Sequence, residues 1–193
     1  MKISNHQLTL MATLVALNVS IGGLVHVIKL PIYLDAIGTI VAAVVLGLVP
    51  AIVVGVLSFL VAAAIINPVY IYFCGTQAVI AVYAYLAARI GVFKSLARAI
   101  PAGILLGIVT GIVSAPVIVF VFGGVAGSGR DLITAALIRT GHQVFHSVLL
   151  SGAASEPVDK LLQVVAAFYV LKKLPKSLLS RHRNPALQAN GLL

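Results

Sequence analysis

A succession of long apolar runs limits this chain more than any other feature. They cover residues about 8–28, 36–48, 51–66, 70–89, 100–122 and 157–171. A helix crossing a bilayer core of about 30 Å needs roughly 20 predominantly apolar residues, and fewer where buried loops shorten the path. The first run, Leu8 to Ile28, is interrupted by Thr, Asn and Ser, whose polar groups can bond to backbone or to a neighbouring helix. Pro50 separates the second and third runs, because it lacks an N–H and drives its predecessor out of the α region. Composition points the same way. Of 193 residues 61% are hydrophobic and 9% charged, against about a quarter charged in soluble domains. The mean hydropathy is +1.16. Four acids, Asp35, Asp131, Glu156 and Asp159, are too few to solvate a globule of this size. A soluble enzyme and a disordered chain are excluded, and the lone Cys74 excludes an internal disulfide. The expected fold class is an all-α integral membrane protein: one domain over residues 1–176, six transmembrane helices, and a basic, polar cytoplasmic tail over residues 177–193, fraying after Arg183.

Leu132 to Gly152 is long enough for a seventh span, but Arg139, His142, Gln143 and His146 recur at helical spacing and make one polar face. Charge decides against a span. With six spans and an inside N-terminus, the inside holds Lys2, Arg89, Lys94, Arg98, Lys172, Lys173, Lys176, Arg181 and Arg183. The outside then holds Lys29, Arg130, Arg139 and Lys160, together with all four acids. Such a Lys/Arg bias sets membrane orientation. The stretch is therefore read as a re-entrant or outer-half helix in a long external loop between helices 5 and 6. The net charge of +9 is a topology signal, and no nucleic-acid partner is expected. The first run is too long for a signal-peptide core and lacks an Ala-x-Ala exit, so it is expected to stay in the membrane.

Polar residues gather in three external connections, Lys29–Asp35, Asn67–Gln77 and Gly123–Lys160, which would rim an outward-facing, largely apolar ligand cavity. Gly123–Gly129 is not a P-loop, since no Gly-Lys-Ser/Thr follows; it reads as a lid or a turn. Asp131 reads as an N-cap or a ligand contact. Ser155-Glu156-Pro157 reads as a helix start, with Asp35, Glu156 and Asp159 favoured by positive helix N-termini. His142 and His146 have metal-ligand spacing, yet nothing nearby completes a site, so no metal is expected. Cys74 reads as a small packed residue. No nucleophile–base–orienter set, His-Glu-x-x-His or Gly-x-Ser-x-Gly is present, and catalysis is not expected. Spans one, two, three and five carry no charged residue, which argues against a proton-coupled pump. Ala12 and Ala16, four apart on the first span, would let another helix approach closely.

Taken together, the chain resembles the substrate-binding (S) components of energy-coupling factor (ECF) transporters. Ala12 and Ala16 are similar to the family's first-span motif that docks on the transmembrane (T) component. Tyr33-Leu34-Asp35-Ala36-Ile37-Gly38-Thr39, Val45-Leu46-Gly47-Leu48-Val49-Pro50-Ala51 and Gly55 resemble its second and third spans, with the usual Leu-Gly-Pro loosened to Leu-Gly-Leu-Val-Pro. Glu156-Pro157-Val158-Asp159-Lys160-Leu161 and Leu171-Lys172-Lys173-Leu174 resemble its last span and basic end. The resemblance covers residues about 8–176. It implies high-affinity binding of a vitamin-class micronutrient from outside a prokaryotic plasma membrane, with both termini cytoplasmic. The implied partners are a T component and two cytoplasmic ATPases. Those ATPases would use the ATP, so no intrinsic cofactor is expected. The implied ligand-binding residues, placed by location and polarity, are Tyr33, Asp35, Asn67, Tyr70, Tyr72, Gln77, His142, Gln143 and His146. Cobalamin leads as ligand, because His142, His146 and Cys74 could approach its cobalt. Riboflavin, a pyridoxine-type or pyrimidine vitamin, and a queuosine-like base remain open, as does a stand-alone secondary transporter.

Overall fold

A computed structural model of the chain describes residues 4–182 and 184–193; Lys2 and Arg183 of the charge argument lie outside the described residues. Among the described residues the protein is helical and has no strand. The helices are α1 (Asn5–Val27), α2 (Ile37–Val45), α3 (Leu48–Ile65), α4 (Cys74–Arg89), α5 (Leu96–Phe120), α6 (Asp131–Arg139), α7 (Val144–Lys173), α8 (Lys176–Leu179) and α9 (Pro185–Ala189). Single 3₁₀ segments, Pro68–Phe73 and Val92–Lys94, flank α4. Four segments are long and apolar enough to cross a membrane: α1, α3, Pro68–Arg89 and α5.

The second and last apolar runs differ from the sequence expectation. The second run, read as 36–48, yields an α2 of nine residues, about 13 Å long, which is too short to cross a bilayer alone. All nine residues are buried. The helix is the centre of the bundle, and each fully buried Val or Ile contributes about 1.5–3 kcal/mol. The last run, read as starting at Pro157, is the second half of a 30-residue helix, α7. Pro157 therefore sits inside the helix rather than in its first turn, where a proline removes one backbone hydrogen bond. Just before it, Ser155 Oγ donates to the Ser151 carbonyl (2.9 Å) and Ser151 Oγ to that of Val148 (3.0 Å). The stretch 132–152 is likewise split. Its first part is α6, the chain turns at Gly141 (φ +93°), and the remainder opens α7.

The close approaches at Gly38 and Gly107 need glycine. A Cβ on Gly38 would lie 2.3 Å from the Leu14 carbonyl oxygen, so α1 and α2 cross backbone to backbone there. A Cβ on Gly107 would lie 2.4 Å from Pro157 Cα, which seats α5 directly against the proline of α7. Small residues permit this kind of packing between helices.

The chain end is folded back rather than frayed. Ala186 and Leu187 are fully buried, and α9 packs on α2 and α4. The cause is a capping need: the last carbonyls of a buried helix have no intrahelical donor. Asn184 Nδ2 donates to the Ala43 and Val44 carbonyls (3.2 and 2.8 Å), and Asn190 Nδ2 to that of Ala88 (2.8 Å). Arg181 meets His6 at 3.1 Å, so α1's start, α2's end and α4's end share one basic end of the molecule. Beside them His182 is buried, and that burial, followed by Arg181 and His6, holds its imidazole below the ordinary value of 6.5.

Two predictions follow from the docked tail. Asn184→Ala is expected to lower stability by about 1–3 kcal/mol, because two buried carbonyls lose their donor; an unchanged thermal midpoint in detergent would contradict the capping. With its pKa lowered on folding, neutral His182 supports the docked tail above about pH 6.5, and that support is lost as pH falls. Hydrogen exchange over residues 184–193, corrected for intrinsic rate, should therefore quicken on acidification in the native chain but not in His182→Asn. Equal pH dependence in both would reject the assignment.

Candidate functional site

Opposite the basic end lies a cavity of about 670 Å³ of unfilled space counted to its open mouth. It is formed where the connection between α1 and α2 runs extended among the helices. Those backbone groups are not in a helix, and buried ones require partners. Side chains of α7 and α4 supply them. Asp159 Oδ1 accepts from the Tyr33 and Leu34 amides, both at 2.9 Å. Gln163 Oε1 accepts from the Ala36 amide (2.8 Å), and Gln77 Nε2 donates to the Asp35 carbonyl (3.2 Å). Leu34 is left-handed (φ +50°), a conformation costing about 1 kcal/mol or more for such a residue, and the Asp159 bonds hold it there. One step further along, Asn18 Oδ1 accepts from the Gly38 amide (2.7 Å), while its Nδ2 donates to Thr39 and Ser58.

Asp159 belongs to a buried ionic cluster. Lys160 Nζ contacts Asp159 directly and lies 3.8 Å from Glu156 and 3.9 Å from Asp35. Glu156 also pairs with Arg130 (3.3 Å) and accepts from Thr110 Oγ1 (2.9 Å). Arg130 is 1% exposed and donates to Ser151 and the Val148 carbonyl, anchoring the 123–130 loop to α7.

Asp35, Glu156, Lys160 and His26 all face the cavity. Its walls are mainly aromatic and aliphatic: Tyr33, Phe59, Tyr70, Phe73, Ile80 and Ile118. Tyr70 packs edge-on against Phe59 at 5.2 Å and beside His26 at 5.9 Å. Lys160 lies 5.6 Å from the Tyr33 ring centroid. Asn67, Ala126 and Ser128 are also in the lining, and Lys29 Nζ fastens the 123–130 loop through the Gly127 carbonyl at 3.0 Å. A mostly apolar concavity with a few convergent polar groups is the usual form of a small-molecule site.

Of the expected ligand residues, Tyr33, Asp35, Asn67 and Tyr70 line this cavity. Gln77 is fully buried behind it and positions the connection. Tyr72 is exposed and packs edge-on against Phe122. His142, Gln143 and His146 are exposed at the α6–α7 turn, away from the cavity. His142 precedes α7, so it does not share a helical face with His146; its Nδ1 meets Thr140 Oγ1 at 3.1 Å. Cys74 is not in the cavity wall either. Among the described residues, no set of three His, Cys, Asp or Glu is arranged to hold a metal ion.

The sequence reading put Glu156 and Lys160 in a connection rimming the cavity but not among the ligand-binding residues, and it gave Asp159, Gln163 and Arg130 no supporting role. Starting the last helix at Pro157 assigned the acids to its N-terminus. The signal was their spacing: Glu156, Asp159, Lys160 and Gln163 follow i, i+3, i+4, i+7, which is one helical face. Ala12 and Ala16, by contrast, are exposed along one line of α1.

Comparison with protein-family models, with curated proteins and with solved structures gives no significant match. The cluster makes its own prediction. Arg130→Met leaves Glu156 short of a buried partner and is expected to destabilise by about 3–5 kcal/mol. Arg130→Met with Glu156→Gln should recover part of that loss, whereas additive losses in thermal unfolding would show that the two groups are not coupled.

Proposed function

We propose that the chain is the substrate-binding subunit of an ATP-driven importer of the ECF type. In this reading it crosses a prokaryotic plasma membrane six times, with α2 and its extended connection making one crossing together. Both termini are cytoplasmic, and the basic residues at the α4 and α7 ends support that orientation. The cavity then opens outward and takes a vitamin-class small molecule. A T component and two ATPases supply motion and energy, and the chain itself performs no catalysis. The cavity carries this reading: aromatic-walled, with Asp35, Glu156 and Lys160 converging on it. Cobalamin rested on His142, His146 and Cys74, which lie elsewhere, so a smaller flat vitamin is the ligand proposed.

The exposed small residues of α1 support docking. Ala12 and Ala16, followed by exposed Ser20, leave a groove in which a partner helix can approach closely. Ala12→Phe with Ala16→Phe should abolish uptake in vesicles holding the T component and ATPases, while ligand binding in detergent persists. Loss of binding, or uptake that survives, would contradict the division of labour.

The ionic cluster favours a second reading. It buries ionisable groups midway along α7, where coupling ions of secondary transporters are commonly held. That reading requires uptake by the chain alone in proteoliposomes; the importer reading requires none until the partners and ATP are added.

A further inference from the structure

The ionic cluster is unbalanced. Asp35, Glu156 and Asp159 face only Lys160 and Arg130, leaving one excess negative charge. The imbalance falls on Asp35. Asp159 accepts from two amides, Gln163 and Lys160, and Glu156 accepts from Arg130 and Thr110. Among the described residues, no other residue donates to the Asp35 carboxylate within hydrogen-bond distance. Its only cation stands 3.9 Å away and is already bonded to Asp159. The Asp35 side chain is 8% exposed, and it lines the cavity. A buried carboxylate without a donor is costly, and a ligand that brings one removes the cost. Around it stand Tyr33, Tyr70 and Phe59, whose ring faces attract cations. Lys160, which three carboxylates already surround, offers little to an anion.

We infer that the cavity selects a small, flat organic cation, an amidine or a protonated aminoheterocycle, whose N–H groups donate to Asp35 and whose ring lies among Tyr33, Tyr70 and Phe59. This rests on the cavity being the ligand site.

The test is a charge series titrated into the full-length chain in detergent by calorimetry: benzamidinium and 4-aminopyridinium as cations, nicotinamide as neutral, nicotinate as anion. The cations should bind at least about tenfold tighter than nicotinamide, nicotinate weakest, and Asp35→Asn should erase the preference. The series is informative on the unaltered chain even if Asp35→Asn does not fold. Equal affinities, or an anion preference, overturn the inference. Small molecules released on denaturing the purified chain are identified by mass in parallel. A basic nitrogen compound supports the inference; a neutral or acidic one overturns it but leaves the cavity as ligand site. No released molecule and no titration signal would overturn both.

Discussion

Asp159 is the residue on which the arrangement turns. One of its oxygens takes the Tyr33 and Leu34 amides, and the other takes Lys160 and Gln163. A strongly apolar chain has few ways to keep an extended segment among its helices, because every amide there needs an acceptor that water does not supply. The α7 row Glu156–Asp159–Lys160–Gln163 provides it. Because the connection can run inside, Tyr33 and Asp35 reach the cavity, and α2 can begin deep enough to be short and wholly buried. The same row receives Arg130 and fastens the loop over the cavity.

The buried charges have an energetic logic that surface pairs lack. A desolvated pair gains stability only when its remaining lone pairs and protons are satisfied, and an unpaired member is costly. Arg130, Glu156 and Asp159 meet that condition through Thr110, Ser151, Gln163 and the backbone. Asp35 does not, and it lines the cavity. A carboxylate left short of donors beside a cavity is where a binding site is expected, since a stable fold alone has no use for the shortage.

The helical class and four long apolar helices were legible from hydropathy alone, because run length is a direct physical requirement. Four cavity residues, Tyr33, Asp35, Asn67 and Tyr70, were legible because polar groups between apolar runs cluster near helix ends. What failed did so at proline and at spacing. Pro157 marks a helix start when read locally, but close packing against Gly107 of α5 carries the helix through it. That error hid the one-face pattern of Glu156 and its neighbours. His142 and His146 failed for the opposite reason: i, i+4 spacing has meaning only on a continuous helix, and the chain breaks at Gly141. The capping role of Asn184 and Asn190 had no sequence signal, since neither side chain's need arises within its own segment.

Hydrogen exchange of the peptide covering residues 30–36, with the chain in micelles, tests the central claim most directly. An extended segment held by Asp159, Gln163 and Gln77 should exchange as slowly as the neighbouring helices, and Asp159→Asn should release it. Exchange as fast as that of the exposed turn at residues 140–143 would contradict the account: the connection would then lie in solvent, and the cavity would lose the wall that Tyr33 and Asp35 provide.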